Sequence, residues 1–114
     1  MHEMGVMLNI VDEVAKVAKE NEIQKLYKLV LEIGELTGVM SNYMYSCWYS
    51  IQERMELFSE TELVIKEIPG QGICSKCGSE YNLVKHDGVC PECQDNSYRV
   101  ISGSELLIKE IAVE

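Results

Sequence analysis

Basic residues are scarce in this sequence. Ten Lys and Arg stand against nineteen Asp and Glu, leaving a formal charge of −9. Affinity for DNA or RNA comes largely from Lys and Arg neutralising phosphates, so this balance argues against nucleic acid as the main partner. A cation or a positively charged protein surface suits it better. Long apolar runs are missing too. None approaches the roughly 20 residues that a membrane-spanning helix needs, which argues against a membrane role. The opening residues Met1-His2-Glu3-Met4-Gly5 have neither the basic start nor the apolar stretch of a secretory signal, so a cytoplasmic protein is expected. Nor is there a nucleophile paired with a base, a phosphate-cradling glycine loop or a paired-carboxylate motif, and enzymatic turnover is not expected.

What is present is enough chain, at 114 residues, for one main domain with a small appendage. From Gly5 to about Asn21, Met7, Val11, Val14, Ala15 and Ala18 recur at helical spacing, with Asp12, Lys16 and Lys19 opposite. Residues Leu26 to Ile33 change to period two. Tyr27, Leu29, Leu31 and Ile33 face one way and Lys28 and Glu32 the other, which predicts a strand with one buried face.

Gly34-Glu35-Leu36-Thr37-Gly38 breaks that pattern, and Ser41 stands where an N-cap should. Met44, Cys47, Trp48, Ile51, Met55 and Phe58 then form one apolar stripe on a second helix. A second strand is predicted at Glu62–Ile68, closed by Pro69-Gly70-Gln71-Gly72, and a third at Glu105–Val113. The order predicts an α+β fold with two helices packed on a small three-stranded β-sheet and a zinc-ribbon module inserted before the last strand. The expected division is residues 1–69 plus 102–114 for the α+β domain and 70–101 for the ribbon.

The inserted module is defined by Cys74-Ser75-Lys76-Cys77 and Cys90-Pro91-Glu92-Cys93, separated by 12 residues. Each CxxC sets two thiolates on a tight turn, and two facing turns offer four sulfurs at tetrahedral corners about 2.3 Å from Zn²⁺. Gly78 suits the bend after the first pair, and His86-Asp87-Gly88 offers turn chemistry near the tip of a short hairpin between the pairs. In a reducing compartment such cysteines are metal ligands before they are disulfides. A redox dithiol would be expected beside a βαβ pattern, and none is read here. Four protein ligands leave no open position for water, so the zinc is structural.

Met1-His2-Glu3 is the second signal. His2 is too large for efficient removal of Met1, so the Met1 α-amine should remain beside the His2 amide and imidazole. Amine, amide and ring nitrogens can close adjacent chelate rings, a tetragonal donor set that favours Ni²⁺ or Cu²⁺ over Zn²⁺. Taken alone, His2 reads as a solvated terminal residue and Glu3 as a charge in a helix's first turn.

Met1-His2-Glu3-Met4, then Ile33-Gly34-Glu35-Leu36-Thr37-Gly38-Val39, then the paired CxxC motifs before a last strand, resemble the HypA/HybF family of hydrogenase nickel-incorporation proteins in order, length and spacing. The resemblance implies a nickel metallochaperone of [NiFe]-hydrogenase maturation that works with a HypB-type GTPase and the hydrogenase large subunit. It implies that His2 is the essential nickel ligand. The Met1 amine, the His2 and Glu3 backbone nitrogens and the Glu3 carboxylate would complete that site. Cys74, Cys77, Cys90 and Cys93 would hold zinc. Where the family commonly carries an acidic residue after the Gly-Val step, this chain has Met40. A neutral thioether there favours a four-coordinate nitrogen-rich site, unless Glu35 supplies an oxygen. A monomer or weak homodimer is expected.

Other residues with metal-binding chemistry have plainer roles. Cys47 and Trp48 lie on the stripe of the second helix and read as core. Met44 and Met55 sit at core spacing, and His86 reads as a solvated turn residue. The competing function is a zinc-ribbon adaptor that holds a protein or nucleic-acid assembly together and carries no nickel.

Overall fold

The computed structural model describes residues 2–113. The Met1 amine expected at the nickel site therefore lies outside the described residues. Helix α1 (Glu3–Glu20) begins two residues earlier than its apolar pattern suggested and buries Met7, Ile10, Val11, Val14 and Ala18. The chain turns out of it through Glu22 in the left-handed region (φ 56°), with the Ile23 N–H closing on the Ala18 carbonyl.

Strand β1 (Lys28–Gly34) is central in the first sheet. It pairs in parallel with β2 (Glu62–Ile68) and antiparallel with β6 (Leu106–Ala112). Both helices cover one face of this sheet, where Leu29, Leu31 and Ile33 meet Met7, Val11, Val14, Met44 and Trp48. Trp48 packs edge-on against Phe58, with ring centres 5.1 Å apart.

Four local expectations give way to the packing. Tyr27 does not join the buried face: the chain bends there, Leu26 is buried instead, and the strand starts at Lys28, two residues after Leu26. Val30, on the face away from the helices, is buried between Val64 and Glu110 because β1 has neighbours on both sides. Helix α2 (Ser41–Gln52) ends before Met55 and Phe58, which belong to the turn after it. Two hydrogen bonds from Gln52 Nε2, both 2.9 Å long, hold that turn by the Phe58 and Thr61 carbonyls.

Ser41 does not cap α2. Met40 occupies the cap position, and the Ser41 hydroxyl instead donates to Glu67 Oε1 at the end of β2 (2.9 Å). The parallel β1–β2 pair joined by α2 is also a βαβ unit, although the sequence pattern showed none. Neither CxxC lies in it; all four of those cysteines belong to the inserted segment.

That segment forms a second three-stranded sheet, β3 (Gln71–Cys74), β4 (Glu80–Asn82) and β5 (Tyr98–Ser102), in antiparallel order β4-β3-β5. The expected hairpin between the cysteine pairs is not there. Only β4 is formed in that stretch, pairing back to β3, and Asp87 and Gly88 make a left-handed turn (φ 52° and 76°) beyond it. The buried set of the ribbon is small: Cys74, Tyr81, Leu83 and Cys90, with Leu36 and Cys93 against them.

The radius of gyration is 17.5 Å, where one compact body of this length would have about 13 Å. The two sheets account for the difference, since they stand end to end and are joined by two crossings. One crossing passes through Pro69-Gly70 and the other through Gly103. At Gly34 a Cβ would lie 2.1 Å from the Gly103 carbonyl oxygen, so the strand end and the return crossing touch backbone to backbone. The Leu36 N–H donates to that same oxygen (2.8 Å), and the Ser102 hydroxyl donates to the Pro69 carbonyl (2.8 Å).

Candidate metal centre

The two CxxC turns share one local design. In the first, the Cys74 N–H donates to the Ser79 carbonyl (2.8 Å) and the Gly78 N–H to the Cys74 carbonyl (2.9 Å). In the second, the Cys90 N–H donates to the Asp95 carbonyl (2.9 Å) and the Gln94 N–H to the Cys90 carbonyl (2.8 Å). The residue four after the first cysteine is left-handed in both, Gly78 at φ 79° and Gln94 at φ 64°. Each turn closes this way, so its two thiols project to the same side.

The four sulfurs lie within 4.8 Å of one another, the only such cluster of His, Cys, Asp and Glu ligand atoms among the described residues. Across the turns, Cys74 Sγ is 3.5 Å from Cys93 Sγ, and Cys77 Sγ is 3.6 Å from Cys90 Sγ. Four sulfurs at about 2.3 Å from a tetrahedral Zn²⁺ would be about 3.8 Å apart. The cluster therefore fits that ion with little adjustment, and the separations are far beyond disulfide length.

The ligands differ in exposure. Cys74 and Cys90, the first of each pair, are buried, Cys93 is half-buried and Cys77 is exposed. The Ser79 hydroxyl and N–H draw the Cys77 thiol down to about 6. At Cys93 the Asp95 N–H acts in the same direction, but burial and the three neighbouring sulfurs push that thiol up to about 12. A divalent cation replaces the protons that such a crowded set of thiols otherwise shares.

His86 does not join the cluster. Its ring stands edge-on to Tyr81, 6.1 Å between centres, while the Tyr81 hydroxyl donates to the Gly88 carbonyl (3.0 Å).

His2 is the N-cap of α1, extended and exposed, and its carbonyl takes the first helical hydrogen bond, from Val6 N–H (3.1 Å). The Glu3 carboxylate reaches across to α2, where Oε2 accepts the Met40 N–H at 3.1 Å. That bond comes first among the causes that hold Glu3 below the usual carboxylate range. Met40 itself is exposed.

Glu35 faces other work. Its Oε1 accepts the Gly70 N–H (2.8 Å) and the Asn82 side-chain amide (3.1 Å), tying the end of β1 to the ribbon. It thus clamps the two sheets together. Sequence reasoning missed this clamp and also Ser79, whose hydroxyl lies 3.3 Å from Cys77 Sγ.

The family model for hydrogenase/urease nickel incorporation metallochaperones, HypA, matches residues 1–113. The chain belongs to the HypA family. The hydrogenase maturation factor HypA of Trichodesmium erythraeum is 41% identical over 115 residues, covering 100% of this chain and 96% of that protein. That of Geobacter metallireducens is 35% identical over 114 residues, with both chains fully covered. The solution structure of the nickel metallochaperone HypA from Helicobacter pylori shares the fold at a TM-score of 0.67 and 22% identity, over 98% of this chain and 97% of that one. A second HypA solution structure reaches 0.70, also at 22% identity, covering 100% of this chain and 97% of that one.

As a member of this family the chain is a nickel metallochaperone of hydrogenase maturation with a four-cysteine, zinc-ribbon-like site, and not an enzyme. The adaptor reading falls with that membership. Among the described residues no helix is long and apolar enough to cross a membrane.

Proposed function

We propose that this chain carries one Ni²⁺ on the Met1 α-amine, the His2 imidazole and the backbone nitrogens of His2 and Glu3, and hands it to a hydrogenase precursor. The supporting observation is the way α1 starts. The first helical bond runs from Val6 to His2, so the amides of His2 and Glu3 precede the hydrogen-bond ladder and no helical bond must break for them to bind metal. The Glu3 carboxylate, engaged by Met40, orients this start instead of closing the coordination sphere. The donor set is then rich in nitrogen and four-coordinate, a geometry that favours Ni²⁺ over Zn²⁺. An exposed terminus releases its ion without opening a cage.

In the same reading Cys74, Cys77, Cys90 and Cys93 hold Zn²⁺, whose contribution is to cross-link two turns that have little apolar surface of their own. Residues 1–69 with 102–114 act as the nickel domain and 70–101 as the zinc domain, in a cytoplasmic protein that is a monomer or weak homodimer. The partners are a HypB-type GTPase and the [NiFe]-hydrogenase large subunit, met through protein contacts. Calorimetric nickel titration of tag-free, zinc-loaded protein beside His2→Ala tests the site. One Ni²⁺ per chain, lost in the variant while zinc is retained, is expected. Equal nickel binding by both proteins would overturn it.

A further inference from the structure

The two metal-binding turns share a backbone design but differ in the side chain that comes next. Five residues after the first cysteine stands Ser79 in one turn and Asp95 in the other. The Ser79 hydroxyl lies 3.3 Å from Cys77 Sγ. The Asp95 carboxylate instead accepts the Ser97 N–H at 3.1 Å. It could not serve as a donor to a thiolate in any case. The asymmetry falls on the ligand that needs support, because Cys77 is the exposed member of the set and Cys74 and Cys90 are buried.

We infer that Cys77 is the ligand at which zinc exchange begins, and that Ser79 is a positioning residue whose hydroxyl, 3.3 Å from Cys77 Sγ, restrains it. This rests on the reading that the four cysteines hold zinc. In the thiol form Cys77 donates to Ser79 Oγ; once the sulfur is a metal-bound thiolate, the same contact runs the other way and the hydroxyl donates. Such a bond withdraws charge from the sulfur, fixes the Cys77 rotamer and makes the thiolate a poorer target for a proton or an incoming electrophile. Of the four ligands, Cys77 is the most open to a competing chelator or protein thiol, with Cys93 only half-exposed. Dissociation starting at Cys74 or Cys90 would have to open a buried ligand first.

The test uses full-length zinc-loaded protein and the chromophoric chelator 4-(2-pyridylazo)resorcinol. Ser79→Ala should release zinc about tenfold faster than the unaltered chain, Ser79→Thr should restore the slow rate, and Ser75→Ala should leave it unchanged. Brief alkylation of the zinc form with iodoacetamide, mapped by mass spectrometry, should label Cys77 ahead of the other three ligands. In the Co²⁺-substituted protein, Ser79→Ala should move the thiolate-to-metal charge-transfer band to lower energy, a shift that mere loosening of the turn would not produce. An unchanged release rate in Ser79→Ala, a Ser79→Thr variant as fast as Ser79→Ala, or preferred labelling of Cys93 would overturn the inference. A chain that takes up neither zinc nor cobalt would overturn the zinc reading and this inference with it.

Discussion

Glu3 and Met40, 37 residues apart in sequence, are joined by a 3.1 Å hydrogen bond from the Met40 N–H to the Glu3 carboxylate. One carboxylate thus stands at the N-terminal ends of both helices, in the first turn of α1 and on the cap residue of α2, where both helix dipoles favour it. The Met40 N–H holds the Glu3 carboxyl below its ordinary value of 4.5. Its stabilising effect is therefore complete above the unfolded-state value and is lost as pH falls through the lower folded-state value. The Met40 amide resonance should follow this titration, with a midpoint below 4.5, and should lose it in Glu3→Gln. A midpoint at or above the ordinary value would remove the bond from the account.

Glu35 does for the two sheets what Glu3 does for the two helices. Its Oε1 collects the Gly70 N–H and the Asn82 amide, so a residue just past β1 is bonded to the start of the ribbon and to its second strand. Glu35→Ala should leave each sheet folded while releasing the ribbon to reorient. Nitrogen-15 relaxation should then give separate tumbling times for residues 70–101 and for the rest, where the unaltered protein gives values closer together. Asn82→Ala should show the same change at smaller size, since the Gly70 bond survives.

Gly103 and Gly5 should respond to alanine in opposite directions. Gly103 sits at φ 86°, and a Cβ there would lie 2.5 Å from the Pro69 carbonyl oxygen. Neither the conformation nor the space admits a side chain, so Gly103→Ala should cost about 2 kcal/mol or more in urea unfolding. Gly5 lies in α1 with nothing within 4 Å of an added Cβ, and Gly5→Ala should stabilise by about 0.5–1 kcal/mol.

The parts of the fold that were legible are those whose signal is local. Strand β2 runs from Glu62 to Ile68 as expected, stopped by the Pro69-Gly70 that closes it, and the paired CxxC spacing found the metal centre because each turn supplies two ligands from four residues. The errors have a common form. Apolar spacing carried the second helix on to Met55 and Phe58, although the chain leaves the helix at Gln52 and reaches the same core by a different turn. Ser41 had the chemistry of a cap but found Glu67, and the cap position fell to Met40, supported by Glu3. Glu35 meets Asn82 across 47 residues, and no window of sequence contains both. The anchoring of Glu3 on Met40 spans 37 residues and was not legible either.

Removing zinc should separate the two halves of the molecule. The core around Trp48 and Phe58 is built from both helices and the first sheet and includes no CxxC residue, while the ribbon buries little besides Cys74, Tyr81, Leu83 and Cys90. So few apolar groups cannot offset the conformational entropy of about thirty residues, so the ribbon depends on its metal where the core does not. Chelation by EDTA should therefore collapse the amide dispersion of residues 70–101. The Trp48 fluorescence maximum and the resonances of α1, α2 and β1 should barely change, and zinc should restore the ribbon. Gly34, Leu36 and Glu35 will also shift, because each touches the ribbon or its crossings directly. If Trp48 instead reports unfolding together with the ribbon, then the crossings bind the sheets into one cooperative unit, and the Glu35 clamp carries more of the fold than its two hydrogen bonds suggest.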